Sequence, residues 1–360
     1  MDVVPVQSAE SLQVPKRFGQ KALLLAKKLN IINTNLRVMT KDKVLAIPLI
    51  RRPSLEEIEA LRTHLQEISF SIENFQTREI TSLSLTEVLE KDIPPNLLAS
   101  LPRSLDIIGK IAIVGLPPEL GAYKELLGEA ILKVNNKIEV VLSKAGPVDG
   151  RLRLRKLELI AGSGKTETIH KEHRCIYHLD PTTVYFSPRL SQEHWRVAQK
   201  VQEGEVVIDM FTGVGPFAIQ IGKAHKNVLV YAIDLNSDAI KFLRRNILAN
   251  KVEGKVIPIL GDAREVVENR LTEIADRVIM NLPEMALKFV DIACKALKQE
   301  GGIIHYYSFE SEPKALEKSV EKLKRSIEAS GRNFNRLLSS RFVRPIAPHE
   351  WQVVLEVLVH

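Results

Sequence analysis

The chain has 360 residues, 45% of them apolar and 26% charged, and carries a formal charge of +7 at pH 7. That length holds two or three domains, and the apolar share is that of an ordinary globular protein, not of a disordered or fibrous one. Two cysteines, Cys175 and Cys294, exclude a disulfide framework and have no partners at metal-ligand spacing; no run of about 18 apolar residues exists to span a membrane; and the modest basic excess permits a polyanionic partner without requiring one.

The start, Met1-Asp-Val-Val-Pro-Val6, lacks the basic residues and long apolar run of a secretory signal. With two reduced thiols, a cytoplasmic location is the expectation. Residues 1–75 read as a small α+β module. Lys16–Leu29 has helical spacing, Leu36–Met39 and Lys43–Ile50 read as strands about a turn near Asp42, and Phe70–Gln76 as a closing strand. Ser54, with Glu57 three residues on, opens a second helix as a capping box. Lys16, Arg17, Lys21, Lys27 and Lys28 form a basic helix face, open to solvent or to phosphates.

Residues 76–102 read as a helical connector, with Thr86–Glu90 helical and Pro94-Pro95 interrupting it. Residues 103–184 read as a second α+β unit. Its expected elements are a strand at Ile107–Val114, a helix at Leu120–Val134, strands at Ile138–Leu142 and Gly150–Ile160, and further β structure at Glu167–Ile169 and Cys175–Leu179. A strand through Gly150–Ile160 puts Arg151, Arg153 and Arg155 on one face. Such a face suits phosphates or a developing oxyanion, or is simply solvated. Gly162-Ser-Gly-Lys-Thr166 resembles a phosphate loop, but the required first glycine falls on Leu159, so a polar turn is expected.

From 185 to 360 strands and helices alternate as in a doubly wound parallel sheet. The expected strands are Glu205–Met210, Val228–Asp234, Val256–Leu260, Arg277–Met280, Gly302–Tyr307 and Gln352–Leu358. Ahead of them, Pro188 fixes a turn and Ser191 is placed to cap a helix carrying Glu193, which serves as a general base or merely as a partner of the helix dipole.

The densest signal is Val206-Val-Ile-Asp-Met-Phe-Thr-Gly-Val-Gly-Pro216. A strand ends in Asp209, passes through Gly213 and Gly215, and enters a helix. The next strand ends in Asp234, placed to hydrogen-bond both hydroxyls of a ribose. This is the layout of a nucleotide-type site at the carboxyl end of a parallel sheet. The glycine spacing also fits a dinucleotide fingerprint. Asp209 weighs against that ligand, because a carboxylate repels a pyrophosphate and attracts the sulfonium and ammonium of S-adenosylmethionine. The alternative for Asp209 is a turn cap. Asp262, after the third strand, either accepts from an adenine amino group or caps the following helix.

Read together, these segments resemble the archaeal and eukaryotic tRNA (guanine-37-N1)-methyltransferase family. The resemblance rests on Pro102–Gly109, Arg153-Leu-Arg-Lys156, Thr168-Ile-His-Lys-Glu172, Val184–Leu190, Asp209–Phe217, Ala232-Ile-Asp234, Met280-Asn-Leu-Pro283 and Gly302–Tyr307. It implies a class I methyltransferase domain, α/β and Rossmann-like, over 185–360, preceded by two smaller α+β domains. The implied cofactor is S-adenosylmethionine, and no residue is singled out as a metal ligand. The implied partner is tRNA, met at the anticodon loop and the outer corner by a monomer.

By the same resemblance Glu193 takes the guanine N1 proton, Arg153 stabilises charge on O6, and Asn281 positions base or donor. The implied donor site is Tyr185, His194, Asp209, Phe211, Gly213, Gly215, Asp234, Leu235, Asp262, Ala263, Asn281 and Pro283. The chain has His194 where the family commonly has Arg, and His173-Arg174 where it commonly has Asn-Gly. Asn281-Leu-Pro-Glu284 lacks the aromatic ring with which amine-methylating enzymes stack their target, which argues against an exocyclic amine. Rival readings are an aminocarboxypropyl or second methyl transfer on a wyosine intermediate, and a tRNA-binding protein without activity.

Overall fold

The computed structural model describes residues 6–65, 67–77, 84–102, 104–150, 152 and 154–360. Arg151 and Arg153 lie outside the described residues, and with them the expected face of three arginines. The chain divides into two compact units, Met1–Leu83 and Ser84–His360.

The first unit contains β1 (Val6–Pro15), α1 (Gly19–Lys28), β2 (Met39–Lys41), β3 (Val44–Pro48), α2 (Leu55–His64) and β4 (Ser69–Gln76). Its antiparallel sheet runs β2-β3-β1-β4. Strand β1 is central, yet its first half, Val6-Gln-Ser-Ala-Glu10, shows no apolar alternation, which is why the sequence pattern does not reveal it. Its second half places Leu12 and Val14 in a core with Ala22 and Ala26 of α1 and Leu61 of α2. Helix α2 has the expected capping box: Ser54 Oγ accepts from Glu57 N, and the Glu57 carboxylate accepts from Ser54 N. Lys16, Arg17, Lys21, Lys27 and Lys28 are all exposed.

The second unit opens with α3 (Leu85–Leu89), α4 (Pro95–Leu98), β5 (Asp106–Ile108), β6 (Ile111–Val114), α5 (Lys124–Val134), β7 (Val140–Asp149) and β8 (Leu154–Gly162). The last four strands form one sheet, in which β6 and β7 run parallel through the α5 crossover. The single strand expected at Ile107–Val114 is therefore a hairpin. The chain reverses at Gly109, whose φ of 57° only glycine adopts freely, and where a Cβ would overlap Thr168 and Ile169. Segment Gly162–Thr166 leads into a strand, so it has no helix to complete a phosphate loop.

An antiparallel hairpin follows, β9 (Thr168–Glu172) with β10 (Cys175–Leu179), and then α6 (Ser191–Ala198). The remaining elements are β11 (Val206–Asp209), α7 (Pro216–Ala224), β12 (Leu229–Asp234), α8 (Ser237–Asn250), β13 (Val256–Leu260), α9 (Ala263–Arg270), β14 (Arg277–Met280), α10 (Val290–Ala296), β15 (Gly302–Ser311), α11 (Ala315–Ala329), β16 (Phe334–Ala347) and β17 (Glu350–Val359). They form a seven-stranded sheet ordered β13-β12-β11-β14-β15-β17-β16. The first five strands are parallel and the last two antiparallel. Strand order reverses between β11 and β14, so the crevice for a ligand lies at their carboxyl ends. Alternate strand residues supply two cores: Val207, Val230 and Tyr307 on one face, Ile208, Val278 and Ile304 on the other. No described helix is long and apolar enough to cross a membrane.

Strand β16 is absent from the sequence reading. It pairs with β17 through register shifts at Phe334/Arg336, Leu337/Ser339, Phe342/Arg344 and Pro345/Ala347. Each shift inserts a residue and breaks the period of two by which a strand is recognised.

Two asparagines one helical turn apart bind β10 to α8. Asn250 Oδ1 accepts from Ile176 N at 2.9 Å and Asn246 Oδ1 from His178 N at 2.7 Å. Their amides donate back to the Ile176 carbonyl at 2.7 Å and the His178 carbonyl at 3.2 Å. Asn246 Nδ2 also reaches the Val214 carbonyl, in the glycine loop, at 3.1 Å. Asn246→Ala strands these buried groups and is expected to cost about 2–3 kcal/mol. Equilibrium urea unfolding checks this; a loss below about 0.5 kcal/mol would mean water replaces the amide.

Candidate active site at the carboxyl ends of the sheet

The glycine loop is tied to the strands beside it. Met210 N donates to Ile279 O of β14 at 3.1 Å, and Thr212 N to Ile233 O of β12 at 2.8 Å. Gly215 has φ 90°, and a Cβ there would run into the Leu243 side chain. Asp234 accepts from Gly213 N at 2.7 Å and from Asn236 N at 2.8 Å, one per carboxylate oxygen. Each oxygen keeps a lone pair for a ligand hydroxyl. Burial raises the Asp234 pKa, and the N–H donors of Asn236, Gly213 and Leu235 oppose it.

The other expected donor residues gather round this loop with differing fits. Phe211 meets Phe289 edge-on at 5.0 Å between ring centres. Leu235 follows Asp234 and is partly buried. Asp262 caps α9 by accepting from Arg264 N at 2.9 Å, which is the cap role left open by the sequence, and Ala263 is buried behind it. Asn281 and Pro283 follow β14, partly buried. His194 stands apart: its ring is 1% exposed, faces Phe217 at 4.7 Å and meets Glu172 Oε1 through Nδ1 at 2.8 Å. Burial alone would raise the Glu172 pKa, but contacts with His170 and His194 bring it down to about 2. The structure thus places His194 in a buried polar cluster with Glu172 and Gln220, against Phe217 of α7.

Asp209 is fully buried, and neither of its carboxylate oxygens has a hydrogen-bond partner among the described residues. Burial pushes its pKa up to about 7; the nearby charge of Asp234 adds to this, and Thr212 and the Phe211 amide oppose it without well-formed bonds. A buried carboxylate at the head of a glycine loop with nothing to neutralise it fits a ligand that brings positive charge. These residues therefore suit S-adenosylmethionine, with Asp234 toward its ribose.

Glu193 presents the opposite environment. Helix α6 begins after a 3₁₀ turn, Pro188–Leu190, with Ser191 as its first residue and no side-chain cap, contrary to the expected Ser191 cap. Its carboxylate is 4% exposed. Arg196 donates to it twice, from Nη2 at 2.6 Å and Nε at 2.9 Å; Tyr307 Oη donates at 2.7 Å; Arg341 Nη2 donates to Oε2. Burial disfavours the charged form, but these donors prevail, so the Glu193 pKa is lowered. Arg196 is in turn paired with Glu356, which also holds Lys200.

The bulges of β16 decide which of its side chains face this site. Arg341 lies opposite Val354 and Arg344 opposite Gln352, with the shift between Phe342 and Arg344 keeping both arginines on one face. Across β17 the same face carries Glu356, and on β15 it carries Tyr307. Arg344 donates to Ser187 Oγ at 2.8 Å, Tyr185 Oη at 3.2 Å and Gln352 Oε1 at 2.8 Å; Gln352 Nε2 donates to Asn281 Oδ1 at 3.2 Å. The Tyr185 carbonyl lies 3.6 Å from where a Cβ on Gly213 would be. Contacts thus run from the glycine loop through Tyr185 and Arg344 to Asn281, while Arg341 of the same strand grips Glu193. Sequence reasoning missed Arg196, Tyr307, Arg341, Arg344 and Gln352. The one available signal was the basic run Arg336, Arg341, Arg344, whose irregular spacing the bulges explain.

Residues 168–334 match the TRM5/TYW2 methyltransferase domain, and residues 85–166 the TYW2 N-terminal domain. The chain is 36% identical to "tRNA (guanine(37)-N(1))-methyltransferase Trm5b" of Pyrococcus abyssi, over 97% of this chain and 98% of that one. It is also 36% identical to "tRNA 4-demethylwyosine(37)-methyltransferase Taw21" of Saccharolobus solfataricus, over 71% of this chain and 93% of that one. Among solved structures it resembles an aTrm5–tRNALeu complex at TM-score 0.68 and 31% identity, covering 97% and 99% of the two chains. It resembles Methanocaldococcus jannaschii TYW2 with AdoMet at TM-score 0.57 and 32% identity, covering 71% and 99%.

The raised Asp209 pKa makes ligand-free stability depend on pH. The folded state prefers the protonated acid, so its stabilisation is full below about pH 4 and lost as pH rises through about 7. Asp209→Asn is expected to stabilise the ligand-free protein by about 3–4 kcal/mol at pH 8 relative to pH 4. Urea unfolding at both pH values, for both proteins, checks this. Binding of S-adenosylmethionine should strengthen from pH 5 to 7 in the wild type, whereas binding of uncharged adenosine should not. Equal pH dependence for both ligands would remove Asp209 from contact with the positive charge.

Proposed function

The chain belongs to the TRM5/TYW2 methyltransferase family, and we propose that it methylates N1 of guanine 37 in tRNA, the nucleotide 3′ of the anticodon. The observation that carries this reading is the extent of the likeness. A relative named for guanine-37 N1 methylation matches 97% of this chain, which must include most of the first unit. The equally identical relative named for 4-demethylwyosine matches 71% and leaves more than a quarter unmatched.

When bound, S-adenosylmethionine supplies an electrophilic methyl group on a sulfonium. Asp209 would neutralise its positive end, Asp234 would hold the ribose, and the turn Asn281–Pro283 would flank donor and base. Guanine N1 carries a proton at neutral pH and is a weak nucleophile. Glu193 is an anion in this setting, the charge state a base needs, and once an acceptor position is open it would take that proton, with the nitrogen lone pair left free to attack. Arg153, which the resemblance places at O6, would stabilise the charge that then spreads onto that oxygen. Asn281, fixed by Gln352, would orient the base. The guanine must be turned out of its stack to reach such a pocket.

The exposed basic residues of α1 and the turn before it would meet tRNA phosphates at the outer corner, so the first unit reads as the part that checks overall tRNA shape. A monomer working in the cytoplasm completes the reading.

The test is incubation with methyl-labelled S-adenosylmethionine and unmodified tRNA transcripts, followed by nucleoside analysis. Label in 1-methylguanosine, lost when guanine 37 is replaced, is the expected result. An aminocarboxypropyl product on a wyosine-precursor tRNA, or no product from either RNA, would overturn it. Glu193→Gln should lower the single-turnover rate at least about 100-fold while S-adenosylmethionine affinity, the folding control, stays within about threefold. A variant with the wild-type rate would remove Glu193 from the base role.

A further inference from the structure

Glu193 has no lone pair to spare. An ionised carboxylate offers about four acceptor positions, and four donor contacts fill them: two from Arg196, one from Tyr307 and one from Arg341. A base in this state cannot accept a proton from a substrate until a donor leaves. The structure distinguishes which one is free to go. Tyr307 is fully buried. Arg196 has a side chain 17% exposed, sits on the same helix as Glu193, and is anchored a second time by Glu356. Arg341 has a side chain 39% exposed, comes from a bulged strand at the sheet edge, and makes one contact to Glu193. Its Nε is buried with no partner among the described residues.

We propose that Arg341 is a positioning residue that clamps Glu193 in the free enzyme and passes its guanidinium to a phosphate of the substrate RNA when the target nucleotide binds. The inference rests on the reading of Glu193 as the base. Moving a guanidinium off a buried carboxylate is costly unless another anion receives it. Guanine is neutral, and the methyl donor brings one carboxylate already offset by its ammonium and sulfonium, so the phosphodiesters flanking the target are the uncompensated anions the substrates bring. The bidentate fork of arginine matches them, and the unpaired Nε provides a second donor for that fork. The transfer frees Glu193 Oε2 in the step that seats the base, so proton abstraction is armed by RNA binding itself.

Among the described residues, the other charged and titratable groups in this cluster are Arg196 and Lys200 from α6 and its end, His305 and Tyr307 from β15, and Glu356 from β17. They are unchanged by substitution at Arg341. The test uses full-length R341A and R341K with tRNA transcript. Loss of Arg341 should weaken tRNA binding about tenfold and reduce the slope of log Kd against log salt by about one, with R341K restoring the slope. The acid limb of the single-turnover rate should move to higher pH in R341A at subsaturating tRNA, because Glu193 loses a donor in the free enzyme. At saturating tRNA it should stay at the wild-type position, because there Arg341 has already left. An unchanged salt slope, or equal movement of the limb at both tRNA concentrations, would overturn the proposal. S-adenosylmethionine binding by each variant reports folding. A wild-type enzyme that makes no 1-methylguanosine would sink the reading of function instead, and the salt slope would still test the contact with RNA.

Discussion

A carboxylate taken almost wholly out of water needs donors on nearly every lone pair, and supplying them to Glu193 organises much of the second unit. Arg196 comes from the next turn of α6, Tyr307 from a parallel strand, and Arg341 from the far edge strand. Arg196 in turn requires Glu356, and Glu356 requires Lys200. Truncating one member of such a set leaves a buried charge without its counter-charge, which costs more than the set gains over apolar packing. The arrangement therefore reads as a device for holding one anion in one orientation, more than as a source of stability.

Asp209 is the complement. It ends strand β11, at the head of the glycine loop, and neither of its oxygens has a hydrogen-bond partner among the described residues. Donors drive one acid down and burial drives the other up to about 7. Opposed environments of this kind separate the roles of two acids on one fold. The protein supplies the partners of Glu193 itself and leaves the partner of Asp209 to be supplied by a ligand. On the proposed reading, a cationic donor settling against Asp209 would convert an unfavourable burial into an ion pair, and part of its affinity would come from relief of a cost already present in the folded state.

The sequence made the parallel half of the sheet legible because its strands are short apolar runs closed by Asp209, Asp234 and Gly261-Asp262, and because glycines at 213 and 215 have no other use in such a pattern. It left the antiparallel edge unread. In β16, Phe334-Asn-Arg-Leu-Leu-Ser-Ser-Arg-Phe-Val-Arg, register shifts break the alternation, and the one between Phe342 and Arg344 keeps Arg341 and Arg344 on one face, whereas strict alternation would oppose them. Similar reasons account for the smaller misses. Ile107–Val114 is apolar on both sides of Gly109-Lys110, so it reads as one strand, and the φ of Gly109 reveals the reversal inside it. The expected Ser191 cap failed because a 3₁₀ turn delivers the chain into α6 already helical. Asp262, which the sequence left open between two roles, takes the cap role by accepting from Arg264 N.

The bulged edge also explains how two chemistries can share this scaffold. The glycine loop and its acids recognise the part of the donor common to any transfer from a sulfonium, so they do not by themselves select which group moves. On the proposed reading, the residues that would place the acceptor are Asn281, Tyr185 and Glu193. All three are held, directly or through Gln352, by side chains of β16 and β17. A hairpin at the sheet edge tolerates insertion and re-phasing better than a central strand, because a residue added there displaces one neighbour, not two. Changing the phase of its bulges would exchange the residues facing Glu193 and Asn281 while leaving the donor loop intact. On the proposed reading, the contacts to the acceptor would be tuned at the edge of the sheet and those to the donor held at its centre.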